Sequence, residues 1–234
     1  MVNGICLEVC CGSLASALAA VEGGAERIEL CSALSLDGLT PSVGTIRELR
    51  RRFPDLRIHV LIRPREGDFV YSEDEVRVME QDIRAAVEAE ATAIVSGALT
   101  PKNTIDQPVT ARLVHAAAPL PFTFHRAFDL VPDKSTSLLC LSESGVARVL
   151  TSGGAPTAEA GISVLRQLIF EATSLLPHPI TILPGGGINR HNVRQIIEET
   201  GATEIHGSCS MTRPNGLRQT SIEEVRAVLN RLTS

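Results

Sequence analysis

The sequence predicts an α/β fold, a single (β/α)8 TIM barrel occupying residues 1–234, and three observations carry that reading. Eight short apolar runs recur along the chain, at 6–10, 27–31, 58–65, 93–97, 121–126, 148–153, 181–188 and 204–209. A stretch with helical start and stop signals lies between each pair, and strands that alternate with helices form a parallel sheet. The length of 234 residues fits one barrel of the usual ~250 residues, with little left for insertions. An open doubly wound sheet is the alternative, but it uses about six strands.

The elements follow in order. After the first run, Ser13 can cap a helix that Gly23-Gly24 stops in the left-handed region. Thr40-Pro41-Ser42 opens the second helix, with proline in the first turn where it is tolerated. Ser72 with Glu75, and Ser221 with Glu224, have capping-box spacing and start the third and eighth helices. The fourth helix begins after Asp106-Gln107-Pro108, and Gly145 and Gly201 follow the fifth and seventh. The sixth, 158–175, is the longest apolar-periodic stretch.

Strand side chains alternate between faces. If Glu8 points into the barrel, so do Cys6 and Cys10, while Leu7 and Val9 face the helices. The same rule turns Arg27, Glu29 and Cys31 inward on the second strand, and His59, Leu61, Arg63 and Arg65 on the third. Thr123 and His125 follow on the fifth, and Glu204, His206 and Ser208 on the eighth. So charged an interior must pair its members. Glu8 or Glu29 with Arg27 or Arg63 is the expected pairing.

Composition narrows the partners. Net charge is −5, and aromatics are 3% of the chain, with one tyrosine and no tryptophan. Arg50-Arg51-Arg52 closes a helix, where cations complement the dipole. No nucleic-acid partner is therefore expected. No apolar run approaches the ~20 residues of a membrane span, so no membrane partner is expected either. The first strand begins almost at the first residue, leaving no room for a cleavable signal. A cytoplasmic protein is expected, and its six cysteines are then free thiols or ligands. Only Lys102 and Lys134 supply lysine and neither is on a strand, which disfavours Schiff-base chemistry.

In a barrel the site lies at the C-terminal strand ends. Cys10 and Cys31 meet there on adjacent strands. Two soft thiolates suit Cu(I), although each is equally a small buried hydrophobe. Glu8, Glu29, Arg63, His125, Asp129 and His206 converge on the same mouth. Arg63 or Arg65 could clamp an anion while Glu8, Glu29 or His125 moves protons, or the set could be an internal salt-bridge network. Gly185, Gly186 and Gly187 end the seventh strand and Ser208 follows the eighth, where many barrels bind phosphate. A tight turn would need the same glycines. The loop Asp68-Phe69-Val70-Tyr71 could close over the mouth or merely anchor itself.

Several of these segments carry a resemblance. Ile28-Glu29-Leu30-Cys31, Gly38-Leu39-Thr40-Pro41-Ser42, Ile62-Arg63-Pro64-Arg65, Gly67-Asp68-Phe69-Val70-Tyr71-Ser72, His125-Arg126-Ala127-Phe128-Asp129, Leu150-Thr151-Ser152-Gly153, Pro184-Gly185-Gly186-Gly187-Ile188 and Glu204-Ile205-His206-Gly207-Ser208 resemble, in order, the CutC copper-homeostasis family. The match extends from Leu7 to Ser208. It implies a (β/α)8 barrel, cytoplasmic and often a homo-oligomer, linked to copper tolerance through thiols at the barrel mouth. Carried across, that role falls on Cys10 and Cys31. The chain departs from the family at Glu90-Ala91-Thr92, at Val95-Ser96-Gly97 and at Cys11-Gly12.

Two functions follow. The first is copper homeostasis, with Cu(I) held by Cys10 and Cys31 and a second shell of Glu8 and Glu29. The second is an enzyme on a small anionic or phosphorylated metabolite, with Arg63, Arg65, Ser208 and the 185–187 glycines binding the anion. Catalysis would then fall to Glu8, Glu29, His125, Asp129 and His206. A metal-dependent hydrolase is a weaker third, lacking a His-x-His pair.

Overall fold

A computed structural model describes residues 2, 4–212, 216 and 218–233. Its centre is a ring of eight parallel strands: β1 (Cys6–Cys11), β2 (Arg27–Leu30), β3 (Arg57–Leu61), β4 (Ala93–Ser96), β5 (Phe122–Phe124), β6 (Arg148–Thr151), β7 (Thr181–Pro184) and β8 (Glu204–Gly207). They pair in the order β7-β6-β5-β4-β3-β2-β1-β8. Between β7 and β8 a single parallel bridge, Gly185 to His206, stands in place of a ladder. The barrel is nearly closed, and that seam opens at the barrel mouth.

Eight helices surround the strands: α1 (Leu14–Glu22), α2 (Val43–Arg52), α3 (Glu73–Glu88), α4 (Gln107–Ala117), α5 (Lys134–Glu143), α6 (Ile162–Ser174), α7 (Val193–Thr200) and α8 (Ile222–Thr233). None is long and apolar enough to cross a membrane. The apolar core lies between strands and helices, where Leu7, Val9, Ile28, Leu30, Ile58, Val60, Phe122 and Phe124 are buried. Each such side chain contributes roughly 1.5–3 kcal/mol. Their alternate neighbours line the interior of the barrel.

Most start signals act as expected, and four do not. Ser13 accepts the Ser16 N–H, and Ser72 with Glu75 forms a complete capping box. Ser42 caps α2, so Pro41 precedes the helix instead of entering its first turn. α4 already includes Gln107 and Pro108, with Asp106 as its cap. Only half a box forms at α8: the Glu224 N–H donates to Ser221 Oγ, but the Glu224 carboxylate turns to Arg190. α6 starts at Ile162, four residues later than predicted, because Gly161 abuts the β6 loop. A Cβ there would stand 1.9 Å from the Ser152 carbonyl oxygen. The strands also end early. β3 stops at Leu61, shortly before Pro64, and β7 stops before Gly186 and Gly187, whose φ values are +104° and +75°.

The sequence reading missed the short 3-10 helices Leu34–Leu36 and Arg126–Leu130, and one larger feature. Between β8 and α8 lies an antiparallel hairpin, β9 (Ser210–Thr212) with β10 (Arg218–Thr220). It carries Arg218 to the mouth.

Candidate functional site at the barrel mouth

A ladder of charges fills the interior. Glu204 Oε2 accepts from Arg27 Nη2 (2.7 Å) and Arg148 Nε (3.0 Å). Arg27 Nε lies 3.0 Å from Glu8 Oε2, and His59 Nδ1 lies 2.6 Å from the same oxygen. Glu8 Oε1 contacts His206 Nδ1 at 2.9 Å. Glu8 is 0% exposed. Burial alone would raise its carboxyl, but His59, His206 and Arg27 outweigh burial and hold it well below the usual range. The predicted Glu8–Arg27 pair therefore forms. Arg63 pairs with no acid among the described residues.

Above this ladder sits the sulfur group. Cys10 Sγ is 3.9 Å from Cys31 Sγ and 3.7 Å from Glu29 Oε1. Single donor atoms of Cys10, Glu29 and His206 lie within 4.8 Å of one another, all buried. Cys10 is the shared member, with Cys31 on one side and the carboxylate and imidazole on the other. Hydrogen bonding to Cys31, burial and the Glu29 charge push the Cys10 thiol well above its ordinary range. Burial also raises the Glu29 carboxyl. Burial opposes the charged form of His206, yet Glu29, Cys10 and Glu8 together hold it well above the usual imidazole range. The Glu29 charge favours the protonated imidazole of His206, and the His206 charge opposes the rise of Glu29.

The mouth opens as two adjoining lobes that share Cys10, Arg126, His206 and Arg218. The larger, about 520 Å³, is lined by Glu29, Arg63, His125 and Asp129 with Leu61, Phe69 and Leu150. The smaller, about 430 Å³, is lined by Gly186, Gly187, Asn189, Ser208 and Ser210. His125 accepts the Ala127 N–H at Nδ1 (3.3 Å), which leaves the ring proton on Nε2. Burial and the nearby Arg63 charge push its pKa down to about 3, so the ring is neutral. It is a hydrogen-bond donor and not a cationic acid. Gly97 makes room for it, since a Cβ there would lie 2.7 Å from His125 Nδ1.

Three predicted site residues are held by other contacts. Arg65 grips Glu75 (2.5 Å), Asp68 (2.9 Å) and the Val70 carbonyl, and lines neither lobe. Asp129 accepts from Thr151 Oγ1 (2.5 Å), the Ser152 and Gly154 N–H groups, Ser152 Oγ and Arg126 Nε (2.8 Å). It ties the exit of β5 to that of β6. Arg63 donates to the carbonyls of Leu36, Gly38 and Gly67, joining the loops after β2 and β3, and keeps only Nε without a partner. Gly185 opposes His206 across the seam, where a Cβ would strike Leu150 at 2.5 Å. Ser208 shares a hydrogen bond with Ser210 (2.9 Å) and faces the smaller lobe. Sequence reasoning missed Arg126, Arg148 and Arg218. Alternation along β6 from Leu150, which lines the larger lobe, would have found Arg148.

The CutC family's sequence model matches residues 5–211. The copper homeostasis protein cutC homolog of Homo sapiens is 44% identical over 216 residues, which are 92% of this chain and 77% of that protein. The crystal structure of a copper homeostasis protein CutC from Streptococcus agalactiae superposes with a TM-score of 0.82 at 36% identity, covering 87% of this chain and 98% of that one. Phosphoribosylanthranilate isomerase of Thermotoga maritima shares the barrel alone, with a TM-score of 0.63 at 14% identity over 98% of this chain and 99% of that one.

Proposed function

The chain belongs to the CutC family of copper-homeostasis proteins, and from that premise we propose that it binds Cu(I) at the barrel mouth through Cys10 and Cys31. The observation that supports this is the 3.9 Å between the two sulfurs. With metal–sulfur bonds of ~2.3 Å, the zinc value, that bite gives an S–metal–S angle of roughly 115–120°. Such an angle suits a third ligand better than a linear pair. His206 is the candidate, because imidazole suits copper and Glu29 is a hard donor. Its Nδ1 already rests on Glu8, the outer-shell carboxylate that metal-binding histidines commonly use.

An anaerobic Cu(I) titration of reduced protein against a chromophoric chelator tests the proposal, with Cys10→Ser, Cys31→Ser and the double variant alongside. Copper retention should be lost in the double variant and fall further in Cys10→Ser than in Cys31→Ser. Equal retention by all four proteins would refute it.

A further inference from the structure

The mouth holds a set of hydrogen-bonding groups that a thiolate copper site does not use. Facing or adjoining the smaller lobe, the backbone N–H groups of Gly187, Ser208 and Cys209 have no protein partner among the described residues, while that of Gly186 is engaged in the bridge to His206. Gly186 and Gly187 take positive φ, which turns the chain out of β7 toward this lobe. Charges around this lobe do not cancel. Arg126 is matched by Asp129 (2.8 Å) and Arg190 by Glu224 (3.0 Å), but among the described residues Arg218 meets only the Ser210 hydroxyl (2.9 Å). One guanidinium is left over beside three free amide donors.

The larger lobe has a different inventory. Three buried polar atoms on its lining residues have no partner among the described residues: Glu29 Oε2, Arg63 Nε and His125 Nε2. The first is an acceptor and the other two are donors. Buried polar atoms are nearly always satisfied in folded proteins, so three on one cavity call for a ligand that offers both hydroxyl and oxygen-acceptor groups. Leu61, Phe69 and Leu150 supply the apolar walls.

We propose that the mouth binds a phosphomonoester of a small polyhydroxy or carbonyl compound, with the phosphate in the lobe of Gly186, Gly187, Ser208 and Arg218. The body of the molecule then lies against His125, Arg63 and Glu29. A phosphate dianion takes several N–H bonds and a guanidinium at once, as the smaller lobe offers. The hydroxyls and carbonyl of the body satisfy the orphaned atoms of the larger lobe. Cys10 and His206 line both lobes, so the bound ester would pass the sulfur group. The site involves no metal and stands independently of copper binding.

The test is a titration of metal-free, reduced, ¹⁵N-labelled full chain with inorganic phosphate and, separately, with glycerol 3-phosphate. Both should move the Gly186, Gly187 and Ser208 amide resonances saturably, and the ester should bind more tightly. Arg218→Gln should weaken both probes about tenfold, the loss of one charge-assisted contact. Arg231→Gln, the same charge change in the last turn of α8, should leave both unchanged. His125→Gln should weaken the ester and spare inorganic phosphate. Shifts that do not saturate, equal losses in Arg218→Gln and Arg231→Gln, or an ester that binds no better than phosphate would each overturn the proposal.

Discussion

Cys10 stands where the two chemistries of the mouth meet. A thiol ligates metal as the thiolate, and Cys31, burial and Glu29 all push the Cys10 thiol upward. Copper must therefore displace a proton. With two thiols each giving up a proton, apparent Cu(I) affinity should fall about a hundredfold for each unit that pH drops, as read by chelator competition; a flat profile would remove both thiols from the ligand set, and a tenfold slope would leave one. Glu8 presents the converse case. Its carboxyl lies well below the usual range, so the stability it contributes is present above the unfolded value of ~4.3 and is lost as pH falls through the folded value. Glu8→Gln should flatten that acid limb and cost about 3 kcal/mol at neutral pH, because Arg27 loses its one fully buried carboxylate and keeps only the half-buried Glu204. Urea unfolding from about pH 3 to 7 checks both effects. His206 has the opposite sign. Its pKa is raised, so its contribution holds below ~6.5 and is lost as pH rises through the folded value. His206→Gln should flatten the alkaline limb.

At the scale of elements, Asp129 and Arg63 act as ties between loops. Asp129 accepts five hydrogen bonds that join the exits of β5 and β6. Asp129→Ala should cost about 3 kcal/mol in denaturant unfolding, since bonds to a charged acceptor contribute roughly 1.5–3 kcal/mol each and water replaces some of them. A loss below ~1 kcal/mol would show that the loops hold themselves. These two residues also mark where the sequence stops being legible. Alternation placed Glu8, Arg27, Glu29, His59 and His206 correctly, because each lies within or directly beside a ladder that fixes its face. Past Leu61 and Phe124 no ladder exists, and Arg65 and Asp129 turn to nearby partners that no periodicity encodes. Arg218 was hidden for a different reason. It sits on a hairpin outside the eight-fold repeat, and its sequence cue is only the Asn215-Gly216 pair.

For the whole molecule, the eight-fold repeat and the barrel, with its mouth at the strand ends, were readable from spacing alone. The division of that mouth into a sulfur group and two lobes was not, because it depends on which loop side chains are already engaged. Seven parallel ladders and one bridge complete the ring. A ligand present at 100 times its Kd would add ~2.7 kcal/mol of stability. For a chain of this size that raises Tm by roughly 5–10 °C, measurable by calorimetry with glycerol 3-phosphate; an unmoved Tm would count against the phosphate lobe. The single bridge between Gly185 and His206 gives that number a location. The barrel is less a hoop than a bracelet, and its clasp lies between the amides after β7 and those after β8. Anything that grips both sides fastens the clasp. The first amides to exchange with heavy water in the empty protein should therefore be those of this seam, and they should be the ones most slowed when the mouth is filled.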